Sequence, residues 1–357
     1  MGEGITITHM NIQQGIQTIV EGKSLDLDGA ASVMGQIMDG QATHAQTAAF
    51  ITALRMKGET PEEIAGMARA MREKSLHVEV NVPVVDTCGT GGDGKKWFNV
   101  STCAAFVVAG AGIAVAKHGN RAMSGSSGSA DALETLGVKI TLSPEGVKRC
   151  IEETGVGFMF AQAFHPAMKH AGPVRREIGI RTVFNVLGPL TNPAGAKRQI
   201  IGIADEAMVE KVAKALALLG TDYAMIVHAM SGADEIDVEG ETLIYQVTPD
   251  ALKRRRTRPA DFGLPEGSRD HLVVPSVDQS VALIRGVLAG RGGQHNMPPS
   301  VERSARNVVV MNAAAALVAA GRANSFNDGA EMAQESIDSG KARQKLEQLI
   351  ALSQSQT

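Results

Sequence analysis

The sequence predicts an α/β protein with a small all-helical domain and a larger domain built on a mainly parallel central sheet. Up to residue 78, apolar residues recur only at helical spacing. Beyond that point short apolar runs alternate with helical segments, which is typical of parallel strands covered by helices on both faces. We therefore expect a helical domain over 1–78, joined by part of 164–193, and an α/β domain over 79–357.

Length and composition agree with this division. A chain of 357 residues is too long for one small core, and 44% hydrophobic with 20% charged residues is ordinary for a folded globular protein. The net charge of −3 gives no general attraction to nucleic acid or anionic lipid, so an anionic ligand needs a local site. The three cysteines show no CxxC spacing, and the sequence has neither a membrane-spanning apolar run nor a signal peptide. These features predict a cytoplasmic protein.

Helix starts are clearest in the first 78 residues, where four helices are expected. The third begins with a capping box formed by Thr43 and Gln46, and the fourth with one formed by Thr60 and Glu63. Pro61 stands at the first helical position of the fourth helix, where its missing N–H costs nothing.

The α/β part contains six apolar runs that predict strands. They are Val82–Val85, Ile113–Ala116, Lys139–Leu142, Val156–Phe160, Gln199–Ile203 and Tyr223–His228. Residues 164–193 break this rhythm, since they look helical with proline breaks and could return to the N-terminal helical layer. Two long helical stretches, Val308–Ala320 and Ala330–Leu352, are expected to end the chain.

A glycine-rich loop, Gly89–Gly94, follows the first predicted strand and precedes a helix. Such loops turn backbone N–H groups toward an anion, and the helix dipole adds its positive end. Three other interpretations compete with a diphosphate site. A dinucleotide fingerprint needs an acidic residue about 20 positions on, where Lys117 and His118 stand instead. A P-loop needs Ser or Thr where Lys96 stands, and the third alternative is a turn without a ligand.

A second basic, glycine-rich segment, Lys117–Asp131, follows the next predicted strand. Several potential donors or cations stand within five residues, and small hydroxylated residues then lead into a helix. A Ser/Gly-rich linker is the alternative, although linkers do not usually separate a strand from a helix inside a compact α/β pattern. The segment therefore indicates a second anion-binding loop.

The two loops together resemble the anthranilate phosphoribosyltransferases, in which the first reads GTGGDG with a downstream Asn-x-Ser-Thr and the second reads KHGNR. Both patterns stand here, at 89–94 with Asn99–Thr102 and at Lys117–Arg121. The resemblance runs nearly end to end. It also includes Pro173–Arg175, Phe184–Leu190, Asn192-Pro193, Gly232–Glu235 and Asn312–Ala315.

The resemblance implies a fold like that of the nucleoside phosphorylases and phosphoribosyltransferases, a homodimer, and a site for phosphoribosyl diphosphate, anthranilate and Mg²⁺. The residues implied for the donor are Gly89, Gly92, Asp93, Trp97, Asn99, Val100, Ser101, Thr102, Lys117, Gly125 and Ser129. Those implied for anthranilate are Gly89, His118, Asn120 and Arg175, and those implied for the metal are Ser101, Asp234 and Glu235. Two positions depart from the family pattern: Trp97 replaces a small Thr, and Ser126 stands where many members carry Lys.

These residue types suit phosphoribosyl transfer. Loss of diphosphate from the sugar develops oxocarbenium character and negative charge on the leaving oxygen, which Mg²⁺, Lys117 and N–H donors can stabilise. The aromatic amine is neutral at pH 7 and needs no activated protein nucleophile, while His118 is a candidate to accept its proton or simply to hydrogen-bond. Two alternatives remain at this point, a pyrimidine nucleoside phosphorylase and a non-catalytic nucleic-acid-binding relative. The acidic pair Asp234-Glu235 disfavours both. The KHGNR string fits the phosphorylases less well, and the net charge of −3 speaks against the nucleic-acid-binding relative.

Overall fold

The computed structural model describes residues 10–122, 127–290 and 298–356. The chain divides into two compact units, one made of Met1–Ser75 and His165–Thr191, the other of Leu76–Phe164 and Asn192–Thr357. We call them the helical unit and the sheet unit. Among the described residues, no helix combines the length and the apolar character needed to cross a bilayer.

Fifteen α-helices and seven strands make up the described parts of the chain. The helices are α1 (Ile12–Val20), α2 (Leu27–Met38), α3 (His44–Lys57), α4 (Pro61–Glu73), α5 (Val100–Gly110), α6 (Ser129–Leu136), α7 (Pro144–Thr154), α8 (Ala161–Phe164), α9 (Met168–Ile178), α10 (Phe184–Leu187), α11 (Glu206–Leu218), α12 (Val277–Ala289), α13 (Pro299–Ala319), α14 (Phe326–Asp338) and α15 (Lys341–Ser355). The strands are β1 (Val84–Gly89), β2 (Ala114–Gly119), β3 (Val156–Phe160), β4 (Arg198–Gly202), β5 (Tyr223–Ala229), β6 (Thr242–Thr248) and β7 (Ala251–Thr257).

The helical unit contains α1–α4 together with α9 and α10. Both predicted capping boxes are confirmed, at Thr43 with Gln46 and at Thr60 with Glu63. The fully buried Glu63 also accepts hydrogen bonds from the Leu25 N–H at 3.0 Å and from Lys57 Nζ at 3.0 Å. This carboxylate therefore fixes the start of α4 and ties it to the segment before α2. Helix α9 packs against α2 and α3, and α10 packs against α4.

The sheet unit is built on one seven-stranded sheet in the order β3-β2-β1-β4-β5-β6-β7. The first five strands in this order, β3, β2, β1, β4 and β5, run parallel to one another. The β5–β6 and β6–β7 pairs are antiparallel. Helices α5 and α13 pack against each other, and most of their side chains are buried. The predicted fold class, a small helical domain with a larger domain on a mainly parallel sheet, is confirmed.

Two sequence expectations differ from the structure, and one hairpin was not predicted. Lys139–Leu142 is not a strand, because its apolar side chains pack into the core while the Lys139 N–H donates to Ser353 Oγ at 3.1 Å. The stretch Ala330–Leu352 is two helices, since Gly340 adopts a left-handed φ of 76° between α14 and α15. The β6–β7 hairpin was not predicted, because the exposed residues Lys253–Arg256 of β7 show no alternation of apolar and polar side chains.

The sheet has a topological switch point at β1, because the chain continues from β1 to β2 on one side while β4 lies on the other. Ligands of open α/β sheets bind at such points, beyond the carboxyl ends of the strands. The glycine-rich loop follows β1, and the second basic loop follows β2. The loop with Asp234 and Glu235 follows β5, whose carboxyl end lies at the same edge because β5 runs parallel to β4. The topology thus gathers the three predicted segments at one edge.

Candidate active site

The glycine-rich loop runs from the end of β1 at Gly89 to the start of α5 at Val100. Gly91, Gly92 and Gly94 have φ values of 64°, 71° and 72°, a region that glycine adopts at little cost. Among the described residues, Lys96 is the only one other than glycine with a positive φ, at 55°. The predicted turn between strand and helix is therefore built largely by glycines.

Asp234 approaches the ends of β1 and β4 so closely that both neighbouring positions must be glycine. A Cβ on Gly89 would lie 2.5 Å from Asp234 Oδ2, and a Cβ on Gly202 would overlap the Asp234 carbonyl oxygen. The Gly91 N–H donates to Asp234 Oδ2 at 2.7 Å. The acidic pair and the glycine-rich loop, predicted separately, are therefore one assembly.

Three carboxylates crowd together in this assembly. Burial raises the pKa of Asp234 to about 6, and the neighbouring Asp93 charge contributes to that rise. Burial, followed by the charge of Asp234, also raises the pKa of Glu235, although the Ser101 N–H donates to Glu235 Oε1 at 3.2 Å and favours its ionised form. Ionised carboxylates in such a cluster are stabilised by a cation.

The donor set suits Mg²⁺ shared with a phosphate group. Among the described residues, no three His, Cys, Asp or Glu side chains are arranged as a metal site. Mg²⁺ needs no such cage, because it commonly binds to one or two carboxylates together with water and substrate phosphates. Asp234, Glu235 and the Ser101 hydroxyl supply oxygen donors of this kind, so the residues fit the metal that the sequence predicts.

Lys117 carries a buried ammonium group beside the acidic cluster. Its Nζ donates to the Thr87 carbonyl oxygen and, at 3.2 Å, to Ser101 Oγ. Burial lowers the pKa of Lys117, and the nearby charges of Asp86, Cys88 and Glu235 oppose that shift. The cation is thus held at the carboxyl end of β2 by partners from β1 and α5.

Asp86, on β1, is fully buried. It accepts hydrogen bonds from Asn192 Nδ2 at 2.8 Å and from the His118 N–H at 3.3 Å. Burial raises the pKa of the Asp86 carboxyl, while the Lys117 charge opposes this shift. The sequence prediction did not include Asp86 or Asn192, although Asn192 lies in one of the matched segments.

The start of α5 is not capped by its own N-cap side chain. Asn99 Oδ1 instead accepts hydrogen bonds from Ser280 Oγ and Ser127 Oγ, both at 2.7 Å. Thr102 Oγ1 is buried and has no hydrogen-bond partner among the described residues. An uncapped helix start with a hydroxyl to donate is suited to an anion. Ser280, 181 positions from Asn99, was missed because the sequence gives no signal that links them.

His118 is buried near the end of β2, and Asn120, the first residue after that strand, is exposed. The Asn120 carbonyl oxygen accepts a hydrogen bond from Ser129 Oγ at 3.3 Å. Arg121 is engaged within the fold, pairing with Asp131 at 2.9 Å and with Glu134 at 2.7 Å. Gly125 and Ser126, named by the sequence prediction, lie outside the described residues.

Trp97 packs partly buried against the hydrophobic core of the sheet unit. Its backbone bridges Val273 in antiparallel fashion. The Phe98 N–H donates to the Leu272 carbonyl oxygen at 2.9 Å, and the Val274 N–H donates to that of Lys96 at 2.9 Å. The bulky indole therefore stands where backbone pairing anchors the end of the glycine-rich loop.

Arg175 belongs to the helical unit, on α9. Its guanidinium carbon lies 5.0 Å from the centroid of the Phe184 ring, and burial lowers its pKa. Within the described parts of the chain no carboxylate pairs with it. An arginine held by an aromatic ring in this way keeps its donors available for a planar anion.

Comparison with known proteins identifies the family. Residues 13–75 match the helical bundle domain of the glycosyl transferase family, and residues 81–343 match its a/b domain. The anthranilate phosphoribosyltransferase of Chloroflexus aurantiacus is 54% identical over 345 residues, covering 96% of this chain and 99% of the relative. This chain belongs to the anthranilate phosphoribosyltransferase family.

Solved anthranilate phosphoribosyltransferases have the same fold. The enzyme from Thermus thermophilus superposes with a TM-score of 0.88 at 40% identity, covering 96% of this chain and 99% of that one. The Saccharomyces cerevisiae enzyme, solved in complex with PRPP and Mg, gives 0.86 at 28% identity, with coverage of 96% and 98%. The family predicted from the two loops is therefore confirmed over nearly the whole chain.

Proposed function

We propose that this protein transfers the 5-phosphoribosyl group of phosphoribosyl diphosphate to anthranilate, a step of tryptophan biosynthesis. The products are N-(5-phosphoribosyl)anthranilate and diphosphate. The observation that carries the proposal is the close assembly of Asp234 with Gly89, Gly91 and Gly202. It brings carboxylates of the kind that bind Mg²⁺ against a loop of the kind that binds phosphate.

For the donor, we assign the diphosphate and ribose phosphate to the two loops and the start of α5. The residues assigned are Gly89, Gly92, Asp93, Trp97, Asn99, Val100, Ser101, Thr102, Lys117, Gly125 and Ser129. As the bond from ribose to diphosphate breaks, charge develops on the leaving oxygen. Lys117 and the N–H groups of the loop stabilise that charge without having to reorganise.

For the metal, Ser101, Asp234 and Glu235 would hold Mg²⁺ directly or through water. When bound, the ion neutralises the diphosphate oxygens. Its protein ligands need not form a closed cage, because the donor contributes oxygens of its own.

For the acceptor, we assign Gly89, His118, Asn120 and Arg175 to anthranilate. Arg175 offers a planar fork that matches the carboxylate. The amine attacks the anomeric carbon unaided, since it is already neutral, and loses a proton afterwards. His118 is the residue we assign to hydrogen-bond this amine, and its imidazole is also able to take that proton.

One assay tests the proposed function. Anthranilate fluorescence is followed after phosphoribosyl diphosphate and Mg²⁺ are added to the purified protein, and a loss that requires both is expected. Uridine or thymidine with inorganic phosphate serves as the control for phosphorolysis. Constant anthranilate fluorescence across a wide range of both substrates would exclude the proposal, and release of a free pyrimidine base would favour a nucleoside phosphorylase.

Replacing Arg175 by Ala is expected to raise the KM for anthranilate by about ten- to a hundredfold, the range of a lost charge-assisted hydrogen bond. The KM for the donor should change far less, because Arg175 is assigned to the acceptor alone. Steady-state titration of each substrate measures both constants. Arg176→Ala is the matched control, since Arg176 is the exposed neighbour on the same helix. Equal rises in both KM values would indicate a structural role for Arg175.

Replacing Trp97 by Thr, the residue usual in the family, is expected to change donor affinity by less than about tenfold, or roughly 1.4 kcal/mol. The loop end is held by backbone pairing at Lys96 and Phe98, which the substitution keeps. The indole packs on the core, so thermal stability should fall instead. Calorimetric titration with the donor and thermal unfolding measure the two effects. A much larger gain in affinity would show that the ring obstructs the site.

We also propose that the protein is a cytoplasmic homodimer. The homodimer is what the family resemblance implies, and two apolar residues of the helical unit, Val20 at the end of α1 and Met56 near the end of α3, are 67% and 83% exposed. Sedimentation velocity of the purified chain measures the oligomeric state. A monomer at micromolar concentration would contradict the dimer and leave the assigned reaction unaffected.

A further inference from the structure

We propose that Asn312 is a positioning residue that holds the acidic pair Asp234-Glu235 in its metal-binding conformation. The inference rests on the proposed function, because it assumes that the pair binds a divalent cation. Asn312 lies on α13 and acts through the backbone of Ile236, the residue that follows the pair. It touches no reacting group itself.

The acidic loop between β5 and β6 has little freedom to move. The Asp234 carbonyl oxygen occupies the space beside Gly202, and its carboxylate lies against Gly89 and Gly91. A shift of the loop toward the strands would create a clash, and a shift away would break the bond to Gly91. The position of the pair therefore depends on what holds the backbone on its other side.

Asn312 fixes that side of the backbone through both the oxygen and the nitrogen of its amide. Its Oδ1 accepts a hydrogen bond from the Ile236 N–H at 3.0 Å, and its Nδ2 donates to the Ile236 carbonyl oxygen at 3.1 Å. The same Nδ2 donates to the Val308 carbonyl oxygen at 2.8 Å. Both amide hydrogens and the amide oxygen are thus used. The Asn312 amide thus pairs with both backbone groups of Ile236, as a residue of a neighbouring β-strand would.

The surroundings of Asn312 make this role specific. Asn312 is 3% exposed, and its helical neighbours Met311 and Ala313 are completely buried. Burying a primary amide among apolar groups is costly unless all its hydrogen bonds are made. A leucine would fill the same space without that cost, so packing alone gives no reason for an amide here.

A second anchor lies one residue further along the loop. Asp237 accepts hydrogen bonds from Ser231 Oγ at 2.6 Å and from Arg269 Nε at 2.8 Å, and it is buried as well. These contacts fix the end of the loop near β6. Asn312 binds the residue directly after Glu235, so its loss should weaken metal binding more than the loss of a more distant contact.

The test compares Asn312→Leu with Asn307→Leu. Asn307 is the matched control, because it lies on the same helix, is 5% exposed, and donates to the Pro265 carbonyl oxygen at 3.0 Å, away from the acidic pair. Mn²⁺ is titrated into each variant with phosphoribosyl diphosphate and without anthranilate, and the free ion is measured by electron paramagnetic resonance. No turnover occurs in this experiment. Asn312→Ala is measured beside Asn312→Leu in case the leucine variant does not fold.

Asn312→Leu is expected to weaken Mn²⁺ binding by about ten- to a hundredfold, the usual effect of losing a group that orients metal ligands. Asn307→Leu should leave the Kd within about twofold, since it shares no partner with the pair. Unchanged Mn²⁺ binding in the folded Asn312 variants, or equal weakening in both positions, would overturn the inference. If the wild-type protein bound Mn²⁺ with the donor but transferred nothing to anthranilate, the proposed function would fail while the comparison still tested Asn312.

Discussion

Replacing Asp234 by Asn and Glu235 by Gln together is expected to lower kcat by about a thousandfold or more, as losses of preorganised charge at a reacting oxygen commonly do. The amides keep the size of the carboxylates, so the close approach of residue 234 to Gly89 and Gly202 is preserved. What is lost is the negative charge that we assign to holding Mg²⁺ against the diphosphate. Thermal stability should be unchanged or higher, because burial opposes ionisation of both groups.

Steady-state rates over a wide range of Mg²⁺ concentration measure this effect. Glu241→Gln is the matched control, because Glu241 lies just before β6 and pairs on the surface with Arg256 and Arg258. The control variant should keep its activity. If the double variant turned over normally at ordinary Mg²⁺ concentration, the metal assignment would be wrong.

Replacing Gly202 by Ala is expected to damage both stability and catalysis. The added Cβ would overlap the Asp234 carbonyl oxygen, so the backbone of β4 or of the acidic loop has to move. Overpacking of this kind costs about 3 kcal/mol or less in most cores. A displacement of the acidic pair by about 1 Å should lower kcat/KM by about a hundredfold or more.

Chemical denaturation and steady-state kinetics separate the two effects. Gly35→Ala is the control, since Gly35 lies within α2 and a Cβ there would meet no atom within 4 Å. That change should leave activity alone and stabilise the protein by about 0.5–1 kcal/mol, the helix preference of alanine over glycine. A fully active Gly202→Ala protein would show that the acidic loop tolerates displacement.

The sequence predicted those elements whose signals are local. The capping boxes at Thr43 and Thr60 need only residues three positions apart, and the structure confirms both. Strand β3 was predicted with its observed limits because four of its five residues are apolar and Gly155, a turn residue, stands directly before it. Strand β7 was missed for the opposite reason: an edge strand of exposed arginines and lysine has no buried face, so its sequence carries no period of two.

The candidate site also has parts with a local sequence signal and parts without one. The two loops could be located because each is one continuous segment with its own composition, while the roles of their single residues are what the family resemblance implies. The contacts that join segments could not be predicted, because the sheet brings them together. Asp234 meets Gly91 across 143 positions, and Asn99 meets Ser280 across 181. The anchors of the site, Asp86, Asn192 and Ser280, became visible only in three dimensions.

The contact of Asp234 with two glycines also limits how this protein can be redesigned. A library that randomises position 89 or 202 alone would yield mostly inactive clones, because every other side chain would collide with the fixed loop after β5. To adapt the site to other donors, positions 89 and 202 and residues 230–241 would have to be rebuilt as one unit. Position 97 is the easier starting point, since its side chain lies on the core and only its backbone takes part in the pairing.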